Sequence, residues 1–421
     1  MKSRNIFVYI WFIVTLCSFG YELPVLTLSS VDRFNPRLFD IMFLIGIVFF
    51  NTRIFNTCNN AIVSLWGKMI IWMAVCAFAT VIVTPRTYGL YSLYYLFKYV
   101  EGFLVVRMLF LCKDYLSVSR LEFILIVAGL IVSVFSLLQY FGRIPVTFDY
   151  SFEQDIPISN RYMLGPYSAT YFAVAQMIPM CSLFCINHAV KNKQFRLLFI
   201  VIFFLFVFVG VNCGSRTAFF LTISSVLMFF LMLSKHRIVM IGGSALVAFI
   251  LFIVIVNNPQ SSRFLGEQLV EQNSTLARGQ ELENDSESSI VTRMEMFKSF
   301  SYNDYDYKIM MPFLGSGFYV SPKKGVFRVG YGFHNNYLFA FEQMGIIGFV
   351  MFLLFLFNVL KGSYNSLDNN DVGRIMFSYS LMLCIANVTG QIFWQGFGTC
   401  DMNTLTVYLM ALAVEQSIPY A

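Results

Sequence analysis

The sequence has little charge for its length. Of 421 residues, only 12% are charged and three are histidines, whereas 58% are hydrophobic. Soluble domains carry about 25% charged and about 45–50% apolar residues. A soluble fold of this length could not bury so much apolar surface. The composition therefore excludes an ordinary soluble domain and predicts a protein whose solvent is lipid.

Motifs for several kinds of chemistry are also missing. The chain contains no CxxC pair, no HExxH, no P-loop and no GxGxxG between a strand and a helix, so no motif indicates a zinc, redox or nucleotide-binding site. Asp304-Tyr305-Asp306 resembles a metal-binding Asp-x-Asp, but it lies in a polar segment without a nucleotide-binding fold. We expect no metal and no cofactor. The net charge of +6 is too small to indicate nucleic acid.

Apolar runs are what the sequence has in excess. A helix needs about 20 mostly apolar residues to cross a bilayer, and twelve candidates follow one another along the chain. They are Ile6–Leu26, Leu38–Arg53, Ala61–Val83, Leu90–Leu111, Leu121–Phe141, Tyr167–Asn187, Phe195–Val211, Thr217–Leu233, Ile238–Val256, Asn335–Leu360, Ile375–Trp394 and Met402–Ile418. The first begins like a signal peptide, but no cleavage site follows, so we expect it to be retained. The pattern predicts an all-α polytopic membrane protein of about twelve transmembrane helices.

One long polar segment interrupts the series. Residues 257–333 separate nine predicted helices in residues 1–256 from three in residues 334–421. Ser288-Ser289 predicts the start of a short helix that reaches about Phe300, and Leu314-Gly315-Ser316-Gly317 predicts a turn. Since long loops cross a membrane regardless of their charge, we expect this segment to form one large extracytoplasmic loop.

Lysine and arginine set the expected orientation. With the N-terminus in the cytoplasm, twelve basic residues of the short links fall on the inner side and six on the outer side, which satisfies the positive-inside bias. The outer six are all arginines: Arg33, Arg37, Arg86, Arg143, Arg161 and Arg216. Arginine grips anions in a bidentate manner that lysine cannot reproduce. The set therefore indicates an anion-binding face, or else arises by chance.

Three charges lie inside one predicted helix. Lys98 and Glu101 are three residues apart, so they can neutralise each other on one helix face. Arg107 lies near the inner end, from which it can reach the interface. Intramembrane charges are functional by default, but we interpret this group as structural. His188 and His236, which lie beside inner lysines, are interpreted in the same way.

Four residues on the expected outer face form a candidate site. Arg161 precedes the sixth predicted helix, and Arg216 stands in the tight link after the seventh. Arg293 lies on the predicted loop helix, and His334 stands where the loop re-enters the membrane. Each arginine could instead be a lipid-headgroup anchor or a solvated charge, and His334 could merely start a helix. Their common face favours a site.

Four stretches of sequence surround these residues. The stretches are Arg161-Tyr-Met-Leu-Gly; Gly214-Ser-Arg216; Arg293-Met-Glu-Met-Phe with Pro312-Phe-Leu-Gly-Ser-Gly; and His334-Asn-Asn-Tyr-Leu with Glu342-Gln-Met-Gly-Ile-Ile-Gly348. Together they resemble the O-antigen polymerase and ligase family of bacterial membrane glycosyltransferases. Arg33-Phe-Asn-Pro-Arg37 is similar to a segment of exopolysaccharide members. One departure is Thr217, where the family often has a smaller residue.

The resemblance implies a reaction. The family's donor is an oligosaccharide on undecaprenyl diphosphate, whose diphosphate is the leaving group. Cations at the membrane boundary would stabilise that anion as charge develops on it, which assigns Arg161, Arg216 and Arg293 to diphosphate binding. Arg216 and His334 would be catalytic, with His334 either a base toward the acceptor hydroxyl or a hydrogen-bond donor to phosphate. The resemblance implies a metal-independent enzyme of the bacterial inner membrane, with its active site facing the periplasm.

Three functions stay open at this point. A polymerase of surface polysaccharide repeat units (O-antigen, capsule or exopolysaccharide) must hold two lipid diphosphates. Further outer cations favour it: Arg33, Arg37, Arg86, Arg143, Lys323, Lys324 and Arg328. The alternative is a ligase that transfers the glycan to the lipid A core of lipopolysaccharide, and a lipid-glycan transporter is the competing class. The expected partners are membrane lipid and the lipid-linked oligosaccharide, with a chain-length regulator and a flippase of the same pathway as further candidates.

Overall fold

The fold is known from a computed structural model. It describes residues 2–19, 25–26, 36–55, 59–83, 86–113, 117–144, 172–213, 216–233, 311–315, 320–323, 326–329, 335–388 and 400–415. Within them the helices are α1 (Lys2–Ser18), α2 (Leu38–Phe50), α3 (Ala61–Val83), α4 (Arg86–Leu111), α5 (Val118–Tyr140), α6 (Phe172–Lys191), α7 (Arg196–Asn212), α8 (Arg216–Met232), α9 (Met311–Leu314), α10 (Asn336–Asn365), α11 (Asp371–Ala386) and α12 (Cys400–Val414). A 3₁₀ turn, Asn51–Phe55, follows α2.

Eleven of the twelve predicted helices overlap an observed helix, and the ninth, residues 238–256, lies outside the described residues. Three described helices are long and apolar enough to cross a membrane: Ala61–Ile82, Val118–Tyr140 and Asn336–Asn365. Five shorter ones are also apolar. The helical membrane architecture is confirmed in this coarse form, while twelve crossings and a large loop stay predictions.

The helices pack as a bundle in which α6 lies against α5, α7 and α8, while α10 lies against α3, α11 and α12. Helix α1 belongs to this bundle, since its buried Trp11 donates a hydrogen bond from Nε1 to the carbonyl oxygen of Met42, 2.8 Å away. In lipid, close packing and such interhelical hydrogen bonds hold helices together, because apolar surface gains little by leaving lipid tails.

One end of the bundle is defined by polar contacts around Glu415, and we call it the Glu415 end. Lys113 after α4 forms an ion pair with Glu415 after α12. The Asn60 Nδ2 before α3 donates to Glu415 Oε2 at 3.1 Å. The Asn370 side chain, which caps α11, donates to the carbonyl oxygens of Leu412 and Glu415. The ends of α4 and α12 and the starts of α3 and α11 therefore meet here.

A small hairpin accompanies the helices in the described residues. Strands β1 (Val320–Lys323) and β2 (Val326–Val329) pair antiparallel, with Val320 opposite Val329 and Lys323 opposite Val326. The hairpin lies near α4. Its intervening sequence contains Gly325, and tight hairpin connections favour glycine. The pattern is only four residues long on each side, too short to stand out from the polar segment around it.

Candidate functional site

The opposite end of the bundle gathers the starts of α8 and α10 and the end of α11, and we call it the Asn335 end. Its position follows from α6, which ends beside the Glu415 end because Lys191 pairs with Asp371 of α11. Gly210, near the end of α7, packs against Ile178 of α6 and Thr222 of α8. The starts of α6 and α8 therefore lie away from the Glu415 end. Helix α11, which packs against α8, ends on the same side.

Helix α10 begins at a side-chain cap. The Asn335 side-chain oxygen accepts hydrogen bonds from the backbone N–H groups of Tyr337 (2.9 Å) and Leu338 (3.0 Å). Its Nδ2 donates to the carbonyl oxygen of Val388 at 2.7 Å. Asparagine is among the preferred N-cap residues because it satisfies first-turn donors that have no helical partner. One side chain therefore both starts α10 and ties it to the end of α11.

Three further hydrogen bonds strengthen the tie between α10 and α11. The Nδ2 of the buried Asn336 donates to Asn387 Oδ1 at 2.6 Å, and the Asn336 backbone N–H donates to the Asn387 carbonyl oxygen at 2.9 Å. The Tyr337 hydroxyl donates to the Cys384 carbonyl oxygen at 2.8 Å. The residues that follow His334 in the sequence are therefore held firmly against α11.

Helix α8 begins at Arg216, and only residues 213–215 separate it from α7. The first turn of a helix presents unpaired N–H groups and the positive end of the helix dipole, which together favour anions. Arg216, the first residue of this helix, is itself cationic. The start of α8 is thus suited to an anionic ligand.

Of the four predicted site residues, Arg216 lies within the described residues. Arg216 is placed by its backbone, at the Asn335 end. Arg161, Arg293 and His334 lie outside the described residues, as does the predicted loop helix near Phe300. The start of α8, which carries Arg216, and the start of α10, whose cap Asn335 directly follows His334, lie at the same end of the bundle, and both helices pack against α11.

The long helix α10 is broken at Gly345, whose φ of 63° and ψ of −168° are not helical. At the break, Trp72 Nε1 of α3 donates a hydrogen bond to the Met344 carbonyl oxygen at 2.8 Å. Gly315, which follows α9, has a φ of 77°, in keeping with the predicted turn. Gly315 lies so close to the backbone of α10 that a Cβ on it would be 2.4 Å from the Gln343 carbonyl carbon.

This contact joins two of the stretches singled out in the sequence. Pro312-Phe-Leu-Gly315 lies on Gln343-Met-Gly345, and a Cβ on Gly345 would lie 2.2 Å from the Phe313 carbonyl oxygen. We call this contact, together with Trp72, the Gly315–Gly345 joint. Both glycines adopt a left-handed φ that other residues rarely take, and neither position has room for a side chain.

The charged group in α4 has the structural role expected of it. Lys98 Nζ lies 2.9 Å from Glu101 Oε2 and also pairs with Asp40 of α2. The Arg37 backbone N–H donates to Asp40 Oδ2 at 2.8 Å, and the Arg37 side chain is only 4% exposed. Arg37 is therefore part of the packed start of α2. Arg107 packs over the Phe103 ring.

A second buried group ties α5 to α6 near the Glu415 end. Glu122, which is fully buried, accepts hydrogen bonds from Asn187 Nδ2 at 2.5 Å and lies 3.1 Å from His188 Nδ1. The structural interpretation of His188 agrees with this position, whereas His236 lies outside the described residues.

Sequence reasoning missed several residues that shape the candidate site. Asn387 and Trp72 are the main ones, and both act through partners 51 and 272 residues away in the chain. The only signal for Asn387 was a polar residue within a predicted span, which bundle interiors often use to bond helices together. Trp72 carried no signal, because tryptophan is common in apolar helices.

The fold and the site define a helical membrane protein whose polar contacts concentrate at the two ends of the bundle. Residues 197–353 match the family model described as O-antigen ligase. This match confirms the resemblance to the O-antigen polymerase and ligase family and supports a polymerase or ligase role in O-antigen biosynthesis. It runs from α7 into α10 and includes Arg216, Arg293 and His334. No curated protein matches the chain significantly.

Proposed function

We propose that the chain polymerises repeat units of a surface polysaccharide, taking glycan from an undecaprenyl-diphosphate donor at the Asn335 end of the bundle. The observation that carries this proposal is that the starts of α8 and α10 lie at the same end of the bundle, both on helices that pack against α11, away from Lys113 and Lys191 at the Glu415 end. Arg216 and the residue before Asn335 come from two of the four stretches that resemble the family.

The proposed chemistry follows from this common position. The donor's diphosphate binds at the start of α8, where Arg216 and the helix dipole act on the same charge, with Arg161 and Arg293 completing the cation set. The bond from the anomeric carbon to the phosphate oxygen breaks as the acceptor hydroxyl forms a bond to that carbon. His334 takes the hydroxyl proton or hydrogen-bonds to the phosphate. No metal enters this scheme.

The choice of a polymerase rests on additional cations for a second diphosphate. Arg143 after α5 is exposed, while Lys323 and Arg328 stand on the hairpin, which lies near α4. The buried Arg37 is removed from this set. A ligase is the second candidate, because the matching family model carries that description and because the lipid A core is itself phosphorylated. The site would face the periplasm from the bacterial inner membrane.

Purified protein in vesicles, supplied with a lipid-linked repeat unit, tests the enzyme class. A polymerase lengthens the glycan and releases undecaprenyl diphosphate. A ligase transfers the glycan, and releases undecaprenyl diphosphate, only when lipid A core is added. A transporter moves the lipid-linked glycan between leaflets without changing its length. Transbilayer movement without any new glycosidic bond would overturn the proposal.

A further inference from the structure

The outer part of α10 is a separate short helix held at both ends. Residues 336–344 lie between the cap at Asn335 and the break at Gly345. At the first end, Asn335 and Asn336 bond to the end of α11. At the second end, the Gly315–Gly345 joint presses the backbone of Phe313 and Gly315 against Gln343 and Gly345.

The joint also links parts of the protein that are distant in sequence. It connects the last portion of the predicted loop, through α9, to α10 and through Trp72 to α3. Both glycine contacts are with backbone atoms, which cannot move aside as a flexible side chain can. The position of residues 336–344 is thus set jointly by the bundle and by the segment around Gly315.

We propose that Gly345 and Trp72 are positioning residues for glycosyl transfer, acting through residues 336–344 on the groups at the start of α10. This inference rests on the proposed function. Gly345 lies ten residues beyond Asn335 in α10, and Trp72 lies in the middle of α3, so both are separate from the proposed diphosphate site at the start of α8. A misplacement of about 1 Å at a reacting group can reduce the rate by about a hundredfold, which gives a joint this close-fitting a large effect on turnover.

Gly345→Ala tests the joint, because the new Cβ meets the Phe313 carbonyl oxygen and strains a left-handed backbone. We expect kcat to fall by about 10- to 100-fold while the donor KM changes by less than about twofold, since the diphosphate site at α8 is untouched. The matched control is Gly142→Ala. Gly142 has a φ of 64°, but nothing lies within 4 Å of its Cβ position, so the control carries the backbone strain without the contact.

Trp72→Phe is the second variant, and it keeps the ring packing while removing the donor to Met344. It should lower kcat by several-fold, again with little change in the donor KM. If Gly345→Ala does not fold, the kcat and KM of Trp72→Phe test the proposal. Wild-type kcat in both variants would overturn the proposal, as would an equal loss in Gly142→Ala. A raised donor KM at constant kcat would also overturn it, because the joint would then serve binding. If the wild-type protein transfers no glycan, the proposed function fails instead.

Discussion

Arg216 and the start of α8 would act on the same anion in the proposed function. Arg216 is the first residue of a helix of 17 residues, and the attraction between an anion and the positive end of a helix is strongest within the first turn. A lysine there would keep the charge but lose the planar pair of donors that fits two phosphate oxygens. A simple headgroup anchor would not need that geometry.

Arg216→Lys should therefore lose much of the transfer activity although its charge is kept, and Arg216→Ala should lose more. The measurement is surface glycan length on a gel at equal protein level. Arg53→Lys is the matched control, since Arg53 is exposed in the 3₁₀ turn after α2 and belongs to neither proposed diphosphate site. Full-length glycan in the Arg216→Lys variant would return Arg216 to the class of headgroup anchors.

His334→Ala should abolish transfer while the protein still inserts into the membrane. If His334 is the base, donor binding survives, and wild-type kcat falls as the pH drops below the ordinary histidine pKa of about 6.5, because the protonated ring cannot accept a proton. If His334 contacts phosphate, donor binding weakens as well. Donor binding and the pH profile of kcat separate the two roles, and normal turnover in the variant excludes both.

At the scale of elements, buried polar pairs fix how neighbouring helices meet. Glu122 of α5 is fully enclosed and depends on Asn187 and His188 of α6. A buried carboxylate that loses a donor bears the desolvation cost without full compensation. The hydrogen bond between Asn336 and Asn387 likewise joins α10 to α11 at the Asn335 end.

Asn187→Leu should lower the free energy of unfolding by about 1–3 kcal/mol, because one Glu122 oxygen loses its amide donor. Unfolding of the detergent-solubilised protein measures the effect, and kcat of the folded protein should not change. Asn358→Leu is the control, since the Asn358 amide donates to the Leu354 carbonyl oxygen of its own helix. Equal stability of the two variants would contradict a role for Glu122 in joining α5 to α6.

The helices themselves were readable from the sequence, because hydrophobic length is a local property. Ala61–Val83 was predicted at both ends, and the Lys98–Glu101 pair follows from a spacing of three residues. The partners that complete these local features were not predictable. Asp40 lies 58 residues from Lys98 and Trp72 lies 272 residues from Met344, and no periodicity encodes which helix faces pack together.

The candidate site was predictable in its parts and not in its assembly. Short motifs located Arg216 and the start of α10, and the sequence marked both Gly315 and Gly345 as parts of recurrent stretches. Only the fold shows that those two stretches contact each other and that the contact breaks α10. Charge patterning predicted an outer position for Arg37 but not its burial, which depends on the packing of α2.

At the scale of the whole molecule, the two ends of the bundle should face opposite compartments. Lys113, Lys191 and Arg374 lie at or near the Glu415 end, and lysine and arginine concentrate on the cytoplasmic side of membrane proteins. The Asn335 end would then face the periplasm, where a lipid-linked donor is available.

An impermeant thiol reagent on intact cells tests this orientation. A cysteine introduced at Ser274, within residues 257–333, should be labelled, whereas one at Lys193, between α6 and α7, should react only after the cells are opened. The native cysteines supply the background, measured in the unmodified protein. Labelling of the Lys193 position alone in intact cells would place the candidate site on the wrong face.

Deletion of the gene distinguishes a polymerase from a ligase, because the two enzymes share a donor and differ in the acceptor. Without a polymerase, single repeats still reach the core, so gels should show core with one repeat, or a high-mass polysaccharide should disappear. Without a ligase, long chains should accumulate on undecaprenyl diphosphate while the core stays bare. The exposed Arg143 and the basic residues of the hairpin are cations beyond those that one diphosphate needs, so we expect the first pattern. Long lipid-linked chains in the mutant would instead assign these cations to the phosphorylated lipid A core and make the protein a ligase.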